Sequence, residues 1–250
     1  IVAGSGMTSE KYLDIISKLP ATNLQIAYGQ TETSPLITMS DYDDDIDTKS
    51  KTLGKALPYI EVRIWDTKNN SECKPYIPGE IQCRGFCCME GYYNLPEENK
   101  TKFTEDGWLK TNDCGYYDEN GYFYFIDRMN NIIIRNGENI APNEIECVIK
   151  KYSKDITDAV VVGVEVDSAF QEEIIAFVKL ENGKKSDFNK LKGFVCDKLA
   201  NYKIPRYIFP IEEIPLNSIG KIDYLSIKKY AKEILENELK QNAVMNLSNG

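Results

Sequence analysis

Histidine is absent from the 250 residues. Within this chain that removes every Ser-His or Cys-His nucleophile pair and every imidazole metal ligand. A basic surplus is missing too: 30 Lys and Arg stand against 39 Asp and Glu, a formal net charge of −9. A broad nucleic-acid footprint needs the opposite balance, because phosphates are gripped by clustered cations. No apolar run approaches the roughly 20 residues of a membrane-spanning helix. The opening IVAGSGMTSE has neither signal-peptide nor transit-peptide character and no initiator Met, so it reads as a chain entered part-way through a fold. The seven cysteines are odd in number, form no CxxC, and include an adjacent pair, Cys87-Cys88. This argues against a disulfide framework or a structural zinc. It favours reduced thiols in an intracellular compartment, cytoplasmic or mitochondrial matrix.

What is present is a globular composition, 42% hydrophobic and 11% aromatic. TSEKYLDIISKL (8–19) places Tyr12, Ile15, Ile16 and Leu19 on one helical stripe, with Thr8 or Ser9 as cap. NLQIAY reads as a short buried strand, and the acidic run DYDDDID (41–47) as a solvated loop. YIEVRIWD (59–66) and GEIQCRG (79–85) alternate as strands. GYYDENGYFYFIDR (115–128) is a hairpin turning at Glu119-Asn120-Gly121. After Arg128 the texture changes to a short apolar strand, a polar loop with Gly137, and a helix opened by Pro142. DAVVVGV and EEIIAFVKL are strands, SDFNKLKGFVCDKLANY is an amphipathic helix, and YIFPIEEIP is an edge strand because its prolines cannot donate to a central ladder. DYLSIKKYAKEILENELK (223–240) is a long helix. The expected organisation is a β-rich part over 1–129, a compact α+β unit over 130–240, and a frayed tail over 241–250.

Four stretches carry candidate chemistry, each with an ordinary alternative. AGSGM (3–7) is a small-residue loop that lets a ligand approach the backbone, or a plain helix-entry turn. In YGQTE (28–32) an aromatic, a hydroxyl and a carboxylate suit a base, a phosphate and Mg²⁺; a capped turn would use the same residues. Asp113 and Arg128, at opposite sequence ends of the hairpin segment, fit either a grip on ribose hydroxyls or a surface ion pair. Lys221, after Gly220 in PLNSIGK, is either a solvated charge or one delivered to a phosphate.

In order along the chain, AGSGM, YGQTE, GEIQCRG, GYYNLPEENKTKFTEDGWLKTND, FIDRMNNIIIRNGENIAPNEIE and PLNSIGK resemble the motif series of the adenylate-forming superfamily. The likeness is to its acyl-CoA synthetase branch, near the medium-chain and fatty acyl-CoA ligases. It covers nearly the whole chain. The resemblance implies a mixed α/β and α+β fold, with the β-rich C-terminal part of the large AMP-binding domain followed by a small mobile α+β domain. It implies ATP, Mg²⁺ and CoA as cofactor and substrates, a fatty acid as acyl donor, and an upstream N-terminal half of the same enzyme as partner. The implied reaction joins a carboxylate to the α-phosphate of ATP, then passes the acyl group from AMP to a thiol. Tyr28 would cover adenine, with the backbones of Gly4 and Ser5 at its edge and Gly29 in the same nucleotide loop. Thr31 would donate to the α-phosphate and Glu32 would hold Mg²⁺. Asp113 would accept the ribose hydroxyls with Arg128 assisting. Lys221 would bridge carboxylate and α-phosphate, Gly137 would admit the pantetheine arm, and Asn130 would mark the hinge.

Several positions depart from the family pattern. Asn112 replaces a glycine before Asp113, and Asn tolerates the left-handed turn. Gly6 stands where proline is common. Asn130-Asn131 replace a charged hinge residue, although rotation needs permissive torsions more than charge. The β,γ-phosphate loop and most of the acyl pocket are absent from the 250 residues. Two other readings follow: a degenerate synthetase kept as a structural or interaction subunit, and a peptide-synthetase adenylation domain.

Overall fold

In the computed structural model, the described residues are all but 5, 6, 20, 21, 168–170, 219, 249 and 250, and side chains are further left out at 166, 167, 171 and 237–248. The chain divides into two compact units, Ile1–Met129 and Asn130–Gly250. Ser5 and Gly6, both singled out by sequence, lie outside the described residues.

The first unit opens with helix α1 (Ser9–Lys18), whose N-cap Thr8 accepts a hydrogen bond from the Lys11 N–H. Tyr12 anchors it: the ring is 1% exposed and its hydroxyl donates to the Leu24 carbonyl at 2.7 Å. Strands β1 (Ala27–Tyr28), β2 (Thr38–Met39) and β3 (Lys55–Ala56) form a small antiparallel sheet. Helix α2 (Ile46–Lys51) lies between β2 and β3 and starts inside the acidic run. Asp45 accepts from the Thr48 N–H as N-cap, so part of the expected loop is a helix start. Next come β4 (Ile60–Asp66), β5 (Ser71–Glu72), β6 (Gly79–Gly85), helix α3 (Pro96–Lys102), β7 (Leu109–Tyr117) and β8 (Phe123–Arg128). The five strands form one antiparallel sheet in the order β5-β4-β6-β7-β8. One face buries Ile60, Ile64, Ile81, Cys83, Leu109 and Phe123 with Ile37. At the β7–β8 turn the Asp118 carboxylate accepts from the N–H groups of Asn120 and Tyr122, and Gly121 takes φ +80°.

In the second unit, β9 (Ile133–Arg135) and β10 (Glu138–Ile140) form a hairpin closed by Arg135↔Glu138. Asn136 and Gly137 both have positive φ, +53° and +83°, the geometry of a type I′ turn. The expected polar loop around Gly137 is thus the turn and second strand of a hairpin, with Asn136-Gly137 as the turn pair. Helix α4 (Pro142–Lys150) follows, with Pro142 in its first turn. Then come β11 (Ile156–Asp167), β12 (Gln171–Leu180), helix α5 (Phe188–Lys198), β13 (Tyr207–Pro210) and helix α6 (Tyr224–Ser248). The sheet runs β11-β12-β13, with β13 parallel to β12 on the edge.

Both faces of β11 and β12 are buried, which explains their continuous apolar runs. One face packs on Ile145 and Ile149 of α4 and Leu191 and Val195 of α5. The other packs Val160, Val162, Ile175 and Phe177 against Ile227, Ala231 and Leu235 of α6. The expected frayed tail differs: α6 continues to Ser248, since 241–248 hold neither Pro nor Gly to end the helix. All seven cysteines are free thiols. Among the described residues no helix is long and apolar enough to cross a membrane.

Candidate active site

The YGQTE stretch is a tightly closed loop. Tyr28 ends β1, and residues Thr31–Thr33 form a 3-10 turn. Gln30 caps it reciprocally: its N–H donates to Thr33 Oγ1 at 3.0 Å, and that hydroxyl donates back to the Gln30 carbonyl at 2.8 Å. Ser34 takes φ +51° and turns the chain into Pro35. Gly29 is required by contact. A Cβ there would overlap the Pro35 carbonyl oxygen and lie 2.8 Å from Leu36 Cα. Thr31 is left exposed at the head of the turn, and Glu32 is half-buried behind it.

Asp113 is presented by a bulge. Glu80 pairs with Cys114 and Gln82 with Lys110, so residues 111–113 of β7 face Ile81 alone. Thr111 fastens the bulge by donating to the Ile81 carbonyl at 2.6 Å and accepting from the Asp113 N–H at 3.1 Å. Asn112 takes φ +61°, the left-handed geometry that its side chain tolerates. The excursion faces β8, where Arg128 is the register partner of Asp113. The two residues far apart in the hairpin sequence therefore meet at its open end.

Three of the expected residues touch in a chain. The Tyr28 hydroxyl donates to Asp113 Oδ2 at 2.6 Å, and Arg128 Nη1 stands 2.9 Å from Oδ1. That second contact is ionic without hydrogen-bond alignment. Burial pushes the Asp113 carboxyl above the ordinary aspartate range, against the Tyr28 hydroxyl and the Arg128 and Lys102 charges. Burial, then the Asp113 charge, pushes the Tyr28 phenol well up. Around Glu32 the balance reverses. Burial works to raise its carboxyl, but the Tyr92 hydroxyl at 2.5 Å, its own N–H and the charges of Lys102 and Arg128 outweigh that and hold it below the usual glutamate value. Tyr92 is pushed up to about 12 by the same bond, with burial adding to it.

Sequence reasoning missed Tyr92, Lys102 and Glu80. Lys102, at the end of α3, is 9% exposed, and its charge acts on both Glu32 and Asp113. The buried partners of a site carry no pattern of their own, although a lysine beside Phe103 before an apolar strand was an available hint.

The remaining expected residues are placed as follows. Gly4 (φ +89°) lies just past Val2, which pairs in parallel with Ile26 beside β1. Asn130 lies in a 3-10 turn, Met129–Asn131. In the second unit Gly137 sits at the β9–β10 turn with open space where a Cβ would be. Lys221 is exposed on a closed loop: its N–H donates to Asn217 Oδ1 at 2.9 Å, and its carbonyl accepts from the Asn217 N–H at 2.7 Å.

Among the described residues no cluster of three or more His, Cys, Asp or Glu could cage a metal ion. A single carboxylate such as Glu32 fits Mg²⁺ of the kind completed by substrate phosphates and water. The Asp113 carboxylate, with lone pairs beyond those facing Tyr28 and Arg128, fits a ligand that brings hydroxyl hydrogens.

The AMP-binding enzyme family matches residues 1–93, and the AMP-binding enzyme C-terminal domain matches residues 144–221. The Bacillus subtilis protein YngI, whose name places it among acyl-CoA synthetases, is 36% identical over 94% of this chain and 42% of its own. The mitochondrial medium-chain acyl-CoA ligase of Bos taurus is 34% identical over 94% of this chain and 38% of its own. The crystal structure of ATP-bound MatB from Rhodopseudomonas palustris superposes with a TM-score of 0.83 at 27% identity, covering 93% of this chain and 45% of that one. The chain is similar to the adenylate-forming AMP-binding enzymes in two separate stretches, and its sequence relatives are named as acyl-CoA synthetases or ligases. It spans about two fifths of the length of those relatives.

Proposed function

We propose that this chain is the C-terminal portion of an ATP-dependent acyl-CoA synthetase, which activates a medium- or long-chain fatty acid through acyl-AMP and transfers it to CoA. Residues 1–129 then belong to the large AMP-binding domain and 130–240 to the small C-terminal one. The observation that carries the reading is Asp113, a buried carboxylate held between Tyr28 on one oxygen and Arg128 on the other. Each carboxylate oxygen has a further lone pair with which to accept a ribose hydroxyl, and Tyr28 gives the adenine an aromatic edge beside the Gly4 backbone.

Carboxylate attack on a phosphate is opposed by charge on both partners. Thr31, exposed at the head of its turn, donates to the α-phosphate. Glu32, kept ionised by Tyr92, holds Mg²⁺, which when bound supplies charge neutralisation to the nucleotide phosphates. Lys221 brings the cation that bridges the acyl carboxylate and α-phosphate, and the Gly137 turn leaves room for the pantetheine arm of CoA. Asn130 serves as the hinge. The phosphate loop and acyl pocket are supplied by an N-terminal half of the same enzyme. The free thiols and the mitochondrial bovine relative favour a reducing compartment, cytoplasm or mitochondrial matrix.

ATP–pyrophosphate exchange by the full-length protein, across a panel of fatty acids, tests the reading. Exchange with medium- or long-chain acids, lost in Lys221→Ala with AMP still bound, is the expected result. Unchanged exchange in Lys221→Ala removes the role given to that lysine. Absence of ATP binding by the intact protein supports a non-catalytic role.

A further inference from the structure

The turn that carries Asp113 rests on a residue outside the reaction just described. Glu80 lies on the face of β6 opposite the Ile81 and Cys83 core, and it is 4% exposed. Its Oε1 accepts from the Asn112 N–H at 3.3 Å, and its Oε2 accepts from Gln82 Nε2 at 2.8 Å. The far side of this carboxylate is fixed. Gln82 Oε1 accepts from Arg63 Nε at 2.9 Å, and Arg63 pairs with Asp106 at 3.1 Å. The Arg63 guanidinium is sandwiched between the Trp65 and Trp108 rings at 3.9 and 4.2 Å.

Only the apex of the bulge needs this support. Thr111 already fastens one flank to Ile81 and holds the Asp113 N–H. Asn112, in left-handed backbone at φ +61°, sits between them. A residue with a Cβ keeps that conformation when its surroundings hold it there. Were Asn112 to relax, Asp113 would rotate away from Tyr28 and Arg128.

We propose that Glu80 is a positioning residue of the nucleotide site: its fixed carboxylate holds the Asn112 N–H and so keeps Asp113 aimed at the ribose. The inference rests on reading Asp113 as the ribose ligand. The buried polar row Arg63–Gln82–Glu80 is then a support for one turn of the site rather than general stabilisation of the sheet.

The test is calorimetric AMP titration of the full-length protein as Glu80→Ala, Glu80→Gln, Asn112→Gly and Glu80→Ala/Asn112→Gly, with amide exchange at Asn112 read without nucleotide. Glycine adopts the left-handed turn unaided, so it should replace the support. Glu80→Ala is expected to weaken AMP about tenfold or more, and Glu80→Gln by less, because its amide can serve only one of the two donors. Asn112→Gly alone should stay within about twofold of the parent, and the double variant should return to within about threefold. A double variant as weak as Glu80→Ala overturns the proposal, because Glu80 would then act through the Gln82–Arg63 network alone. AMP binding unchanged in Glu80→Ala overturns it as well. If Glu80→Ala does not fold, Glu80→Ser, too short to reach the Asn112 N–H, decides: faster Asn112 exchange supports the support role, and unchanged exchange overturns it. A parent that binds no AMP removes the functional reading, while the exchange comparison still decides whether Glu80 holds the turn.

Discussion

The two units bury different chemistry. Of the sixteen buried polar or charged residues among those described, all but Asn131 and Glu146 lie in residues 1–129. The second unit instead fills both faces of β11 and β12 with Val, Ile, Ala and Phe. An apolar interior is stabilised by area and close packing alone, so it tolerates little loss of volume. A polar interior must match its donors and acceptors. On the proposed reading, the first unit holds the nucleotide through polar groups, and the second carries the Gly137 and Lys221 turns on an apolar core.

If that contrast is right, substitutions in the two units separate stability from binding. The largest stability loss is expected from Ile174→Ala, a fully buried β12 residue, at about 2–5 kcal/mol by denaturant titration. AMP affinity should stay within about twofold as long as the protein is folded. Asp113→Asn should show the reverse. AMP affinity falls roughly 10–100-fold, about 1.5–3 kcal/mol, while the melting temperature holds or rises. Its sign follows from burial: the carboxyl is pushed up, so ionised Asp113 is disfavoured in the fold and its removal costs no stability near neutral pH. In the parent, AMP binding should fail on acidification at a higher pH than an ordinary aspartate would give.

Gly29→Ala probes whether the nucleotide loop is one rigid piece. Its Cβ meets Pro35 and Leu36 backbone, which cannot yield as a side chain would, so a loss of about 1–3 kcal/mol is expected together with weaker AMP binding. A binding loss without a stability loss would mean that the loop simply reopens. The smallest effect is expected from Tyr92→Phe, about 1 kcal/mol near pH 7. Glu32 has a lowered carboxyl in the fold, so its contribution is complete above the unfolded glutamate value and is lost as pH falls through the lower folded one. Removing the Tyr92 hydroxyl should shift that acid limb upward, which a pH series of melting temperatures reads directly.

Much of this was legible from residue order. Period-two alternation marks β4 and β6, and the Glu119-Asn120-Gly121 turn marks the β7–β8 hairpin. The residues that touch, Tyr28, Asp113 and Arg128, were named from motifs, because a ligand site needs particular residue types at fixed places. Their supports were not. Tyr92, Lys102 and Glu80 act through burial, and burial of a polar side chain is set by what packs over it. The bulge at 111–113 was hidden for the same reason: alternation along β7 shows which residues could face inward, not how many stand opposite Ile81. The β9–β10 hairpin was missed at Glu138-Asn139, where the turn residues, not the strand residues, carried the information.

That bulge also bears on how the sheet accommodates the site. It adds two residues between the Gln82–Lys110 and Glu80–Cys114 pairs. Because side chains alternate every residue, an even insertion returns β7 to the ladder in phase, with Cys114 through Tyr117 on their original faces. An odd insertion would turn each of them inside out. On the β8 side the ladder does adjust: Cys114 pairs with Asp127 and Gly115 with Phe125, so Ile126 is an extra residue there. The site residue thus rides on an excursion that keeps phase with β6, while β8 absorbs a one-residue shift beside it.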